Sequence, residues 1–268
     1  MNLGNLDPIF FTIGNTEVRY YSLMYIIGFV VARQLVRKLG REGYFSPGED
    51  KADELVCFVI IGLLLGIRLG YVFFYNWGYY SKHINEIFHV WQGGLSFHGG
   101  VLGGATGAFI FSLKNKVRFF IVSDTVVITA TQGIFFGRIG NFINGELYGR
   151  ITDSSIGIIF KNGGPIARHP SQLYEAIGEG LILFTILWIT RNKLKIHGAS
   201  SALFLFGYGF IRFIIEYFRE PDSHLGYYFS GYLTMGQILC LSQIIFAILV
   251  ILIAKKLRIE KQNFNLHH

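Results

Sequence analysis

Cysteine is nearly absent from this chain of 268 residues. The two that occur, Cys57 and Cys240, both fall inside hydrophobic runs and far from any CxxC or Cys/His spacing. They predict neither a disulfide framework nor a metal site. The short signatures of common hydrolytic chemistry are missing as well. There is no GxSxG elbow, no P-loop, no HExxH and no pair of carboxylates at a catalytic spacing, so the sequence lends no support to a hydrolase, an NTPase or a zinc protease. The first twenty residues contain no basic segment and are interrupted by Asp7, Pro8 and Glu17, which argues against a cleavable signal peptide. Fixed-period repeats, low-complexity linkers and nucleic-acid motifs are also lacking.

What the chain has in abundance is apolar length. Apolar residues make up 51% of it and aromatics 16%, against 15% charged, which places it among membrane proteins. Seven apolar runs of about 20 residues, the length a helix needs to cross ~30 Å of hydrocarbon, cover 20–39, 52–74, 95–113, 119–136, 171–190, 200–218 and 236–254. The expected fold is an all-α integral membrane protein. It would form one polytopic domain over 1–268, a bundle of seven transmembrane helices.

The links after the first, third, fifth and seventh runs ("RQLVRKLGRE", "KNKVR", "RNKLK", "KKLRIEK") hold, together with Lys51, 15 of the 24 lysines and arginines. This asymmetry places the C-terminus in the cytoplasm and the N-terminus outside, and it accounts for most of the net charge of +7 without a nucleic-acid partner. The longest outer connections are then 76–94, 141–170 and 219–235. The second carries "DSSIGIIF" and the turn signal "NGGP", so a small extracytoplasmic head insertion of short strands or turns is expected over 141–170. The apolar "PIFFTIG" forms an arm along the outer surface. Gly62, Gly66 and Gly70 recur every four residues, as do Gly99, Gly103 and Gly107, which predicts two closely packed helix faces.

Charges at membrane depth are costly and face cavities or partners. Arg212 lies about six residues before the outer end of the sixth run, ~9 Å below the boundary, and Arg68 sits at a similar depth in the second. Arg138 ends the fourth run, His98 opens the third, and Tyr21 opens the first. Five runs thus send Tyr21, Arg68, His98, Arg138 and Arg212 to one leaflet, which predicts a cationic cavity there. Each has a structural alternative: a snorkelling anchor for Arg138, an ion pair with Glu216 for Arg212, a scaffold arginine in Arg68, a core histidine in His98, an aromatic-belt position for Tyr21. Planar arginine forks suit phosphate, and the abundant phosphates at that depth are headgroups of membrane lipids. A site for an anionic phospholipid headgroup is the reading from the residues alone.

Four stretches, "GGLSFHGG" (93–100), "GRIGNFINGELYGR" (137–150), "RHPSQLYEA" (168–176) and "GYGFIRFIIEYFREPD" (207–222), closely resemble the bacterial prolipoprotein diacylglyceryl transferases, and the opening "YYSLMYIIGF" matches their first span. The resemblance runs in order through essentially the whole chain. It implies transfer of the diacylglyceryl group of phosphatidylglycerol to the thiol of the lipobox cysteine of a preprolipoprotein in the bacterial inner membrane, forming a thioether and releasing glycerol phosphate. It also implies phospholipid binding by Arg138 with Asn141, Glu146 and Gly149, essential roles for His98, Arg212 and Tyr21, and supporting roles for Glu216 and Asn144. Arg138 and Arg212 would stabilise the charge on the departing phosphate. His98 is the candidate base for a thiol whose free pKa is near 8.5. Tyr21 would orient headgroup or thiol, and Glu216 would hold Arg212. No metal, nucleotide or other cofactor is expected, because phosphate is already the leaving group. A transporter and a non-enzymatic phospholipid-binding protein are the rival classes; transporters usually place their sites near the midplane between internal repeats.

Overall fold

The computed structural model describes residues 7–14, 16–89, 93–220, 227–228 and 233–257. Residues 90–92, 221–226, 229–232 and 258–261, which fall in the outer connections, the last quoted motif and the last basic link, lie outside the described residues. The chain is mostly helical and divides into two compact units, one built from 1–34 and 127–268 and the other from 35–126. The boundaries fall inside α1 (Tyr20–Arg41) and α5 (Phe119–Asn144).

In the second unit, α2 (Ala52–Phe74) packs antiparallel against α4 (Phe97–Lys114). A Cβ on Gly62 would lie 2.3 Å from the Gly103 carbonyl oxygen, and one on Gly66 would lie 2.2 Å from that of Gly99. The glycine spacing read from the sequence is therefore a backbone-to-backbone seam that no side chain could enter. Phe111 at the end of α4 packs on Phe45 and Phe58, and Val36, Leu39, Leu55 and Val122 complete an apolar core.

The first unit contains the remainder of α5, a rod over Ser171–Thr190, α8 (Ala199–Ile215) and α9 (Met235–Lys256). The rod is α-helical at Ser171–Glu175 (α6), widens into a π-helical stretch at Ala176–Ile182 and returns to α-helix at Leu183–Thr190 (α7). Close approaches at glycines set the packing of these helices. Gly180 lies against the backbone of Phe135 on α5, Gly178 against Ile211 of α8, and Gly209 of α8 against the Cys240 carbonyl of α9. Thr234 and Gln237 form a reciprocal capping box that starts α9.

Among the described residues, four helical segments are long and apolar enough to cross a membrane: Glu49–Phe74, Phe119–Asn144, Ser171–Thr190 and Met235–Lys256, with the apolar Ala199–Ile215 somewhat shorter. Their outer faces carry exposed Ile61, Leu64, Leu65, Ile245, Phe246 and Leu249, as a lipid-facing surface requires. The seven expected runs are helical over most of their length.

Two differences from the sequence reading stand out. The fourth helix does not stop at 136 but continues to Asn144, since Gly137 and Gly140 weaken a helix without ending it; the turn falls at Gly145, with φ +65°. Residues 141–144 therefore belong to α5, and only 145–170 form the irregular connection. The chain is also not wholly α. Ile9–Ile13 (β1) pairs antiparallel with Thr16–Arg19 (β2) around Gly14 at φ +58°, and a second small ladder joins Tyr227–Tyr228 (β3) to Leu233–Thr234 (β4).

Candidate active site

Arg138 lies on α5 three residues beyond Phe135, whose backbone touches Gly180 of the rod. That contact brings Glu175 and Glu179, four residues apart across the start of the π-helical stretch, up to its guanidinium. Nε of Arg138 stands 2.7 Å from Glu175 Oε2 and Nη2 stands 3.6 Å from Glu179 Oε2. From α8, Nη1 of Arg212 reaches the same two carboxylates at 3.2 and 3.6 Å, while its Nε donates to Glu216 Oε2 at 3.2 Å. A third arginine, Arg219, donates from Nη1 to Glu175 Oε1 at 2.7 Å and meets Glu216 at 3.6 Å. Thr234 donates its hydroxyl to the other oxygen of Glu216. Glu216 comes that close only because residue 236 is glycine, where a Cβ would lie 2.4 Å from its Oε1.

Three arginines and three glutamates thus share one buried cluster within the first unit. The glutamate side chains are at most 7% exposed, and the arginines between 13 and 16%. The sequence predicted a cationic cavity; Glu175 and Glu179, with Glu216, balance the arginines. Charges so far from water are held by one another, and removing one partner of such a set typically costs 3–5 kcal/mol.

The signature 137–150 builds the wall beside this cluster. Asn141 and Asn144 both donate to Glu146 Oε1, at 2.8 and 3.3 Å, and close the end of α5. Gln172 donates to the Glu146 carbonyl and Ser171 to that of Leu147, so the "PSQ" of the third motif pins this turn. Gly149 leaves no room for a side chain, because a Cβ would lie 2.2 Å from the Phe218 carbonyl oxygen. It bridges to Arg219, and Arg150 donates to both the Phe218 and Arg219 carbonyls. Gly149 therefore helps to place Arg219. Arg168 stacks on Tyr148 and binds the carbonyls of Gly149 and Gly163 and the carboxylate of Glu220. Nearby, burial pushes the His169 imidazole below its usual range. Tyr21 hydrogen-bonds the Tyr25 hydroxyl at 3.0 Å and packs its ring against Gly140, one half-turn from Arg138.

Of the residues singled out in the sequence, Tyr21, Arg138, Asn141, Asn144, Glu146, Gly149, Arg212 and Glu216 belong to the first unit and Arg68 and His98 to the second. His98 is exposed in the first turn of α4, which Ser96 caps by accepting from the Gly99 N–H. Arg68 is 4% exposed and directs its guanidinium at the carbonyls of Glu86, Ile87, Gly93 and Gly94 and the Tyr80 hydroxyl. With its guanidinium so engaged it organises its own connection, in keeping with the structural alternative given for it above. Glu175, Glu179 and Arg219 were not singled out. The first two are carboxylates inside an apolar run, and the depth criterion applied to the arginines would have found them.

The family model for prolipoprotein diacylglyceryl transferase matches residues 8–253. A phosphatidylglycerol–prolipoprotein diacylglyceryl transferase of Desulfotalea psychrophila is 48% identical over 240 residues, covering 87% of this chain and 88% of its own. Proteins of the same name from Geobacter sulfurreducens (46% identity; 89% and 92% coverage) and Oleidesulfovibrio alaskensis (44%; 93% and 94%) are similar along nearly their full lengths. Matches of this identity and extent span both units and every segment that supplies the cluster, so the chain belongs to the prolipoprotein diacylglyceryl transferase family.

Proposed function

We propose that this chain transfers the diacylglyceryl group of phosphatidylglycerol to the lipobox cysteine thiol of a preprolipoprotein, with Arg138 and Arg212 receiving the lipid phosphate. The family supplies the reaction: the chain is a transferase acting in lipoprotein maturation. The observation that carries the assignment of the site is the convergence of Arg138, Arg212 and Arg219 in one buried cluster. Arginine forks fixed by Glu175 and Glu216 in a water-poor setting are preorganised for an oxyanion that gains charge as the carbon–oxygen bond breaks. The thiol sulfur forms the new bond to the glycerol carbon, its proton passes to a base, for which His98 is the candidate, and glycerol phosphate leaves. Tyr21, beside the Asn141–Glu146 turn, orients headgroup or thiol.

The multi-pass helices belong in the bacterial inner membrane. All seven form the bundle, with the N-terminus outside, the C-terminus cytoplasmic, and 145–170 with the β1–β2 hairpin as outer head and arm; the 15 basic residues on one side favour this orientation. The test is mass spectrometry of a lipobox peptide incubated with the purified protein in phosphatidylglycerol-containing micelles, beside His98→Ala and Arg138→Ala. A diacylglyceryl mass on the cysteine, lost with a Cys→Ser peptide and in both folded variants, is expected. Phosphatidylglycerol binding without turnover would leave a lipid-binding protein instead.

A further inference from the structure

The three carboxylates of the cluster are not held alike. Glu175 lies within 3.2 Å of all three arginines, and Glu216 is fixed by Arg212 and by the Thr234 hydroxyl. Glu179 reaches Arg138 and Arg212 only at 3.6 Å each. Its side chain is fully buried, and neither of its oxygens receives a hydrogen bond among the described residues. It nevertheless occupies the two guanidinium groups assigned above to the lipid phosphate. A phosphodiester and a carboxylate carry the same charge and favour the same donor fork. One more anion among three arginines and three glutamates leaves an uncompensated negative charge away from water, which is strongly disfavoured.

We infer that the phosphodiester of the lipid takes the place of the Glu179 carboxylate on Arg138 and Arg212, and that Glu179 takes up one proton from solution as it is displaced. This rests on the reading of those arginines as the phosphate site. The balance is one anion in and one proton onto the carboxylate; the net charge of the cluster is unchanged and no covalent bond is made or broken. Glu179 yields, and Glu175 does not, because Glu175 holds three arginines at shorter range. The groups that face Glu179 are Arg138 from α5, Glu175 from its own rod, and Tyr208 and Arg212 from α8, with Arg219 beyond. Glu179 acts through the arginines and is a positioning residue. Its weak hold keeps both forks aimed while letting a phosphate displace it.

The test is the pH dependence of phosphatidylglycerol binding to the full chain in phosphatidylcholine nanodiscs, from about pH 5 to about pH 9, for the wild type, Glu179→Gln, Glu179→Asp and Arg138→Gln. In the wild type affinity falls as pH rises, with a slope approaching about tenfold per pH unit, the limit for one linked proton. Glu179→Gln has no competing charge: it binds about tenfold tighter than wild type at high pH, and its slope is flat. Should Glu179→Gln fail to fold, Glu179→Asp, which withdraws the carboxylate by one methylene, shifts affinity in the same direction. A Glu179 variant that binds more weakly and keeps the wild-type slope would show a structural role only and overturn this inference, as would a wild type without any slope. Unchanged binding in Arg138→Gln would instead overturn the phosphate-site reading itself.

Discussion

Gly180→Ala is a single methyl group that separates the packing account of the cluster from a looser one. A Cβ at 180 would stand 2.6 to 2.8 Å from the Cβ, Cα and N of Phe135, where ordinary contact begins at 3.4 Å. Backbone cannot rotate away as a side-chain tip can, so α5 and the rod must part by roughly 0.8 Å. Phe135 lies one turn before Arg138, and the displacement passes directly into the Arg138–Glu175 and Arg138–Glu179 distances of 2.7 and 3.6 Å. Overpacking costs ~1–3 kcal/mol and alanine returns up to ~1 kcal/mol of helix propensity. A net loss of about 1 kcal/mol, or ~2–4 °C in Tm, is expected. Activity should fall much further, by about 100-fold, because a misplacement of ~1 Å in a catalytic group is worth that much. Gly133→Ala on the same helix is the control: its Cβ meets nothing within 4 Å, so stability should be unchanged or slightly raised. Transfer kinetics and thermal unfolding of both variants in micelles decide the matter. Full activity in Gly180→Ala would refute the claim that this contact sets the cluster.

Arg138→Lys keeps the charge but loses the fork; transfer should drop by about 100-fold or more with folding retained, read by peptide mass spectrometry. Arg68→Ala removes hydrogen bonds to four backbone carbonyls in the second unit, and a loss of ~3–5 kcal/mol is expected in thermal unfolding, with the Arg68→Lys variant recovering little of it. Cys57 is exposed and lines an apolar groove of about 440 Å³ with Ile61, Leu65 and Ile110, whereas Cys240 is 4% exposed against α8. A hydrophobic maleimide should therefore label Cys57 alone in the folded protein and both cysteines after denaturation, counted by intact mass.

Local pattern alone determined a good deal about this protein. The apolar runs are mostly helical because a helix in apolar surroundings must satisfy its own backbone and cover itself with apolar side chains, and both requirements are written residue by residue. The glycine seam of α2 and α4 was legible for the same reason, since close approach demands small residues at a four-residue spacing. Arg138, Arg212 and Glu216 were legible because a charge in an apolar run is conspicuous. What only the tertiary structure decided is which charges meet. Nothing within the chain's local order says that Glu175 and Glu179, 37 and 41 residues beyond Arg138, should neutralise it, or that Arg219 should close the set. Nor does local order say that Arg68, equally conspicuous, would spend its donors on its own connection. The pairings of the cluster depend on how closely α5, the rod and α8 approach. That approach is set at single glycines and a π-helical stretch whose effect appears only when the helices are packed.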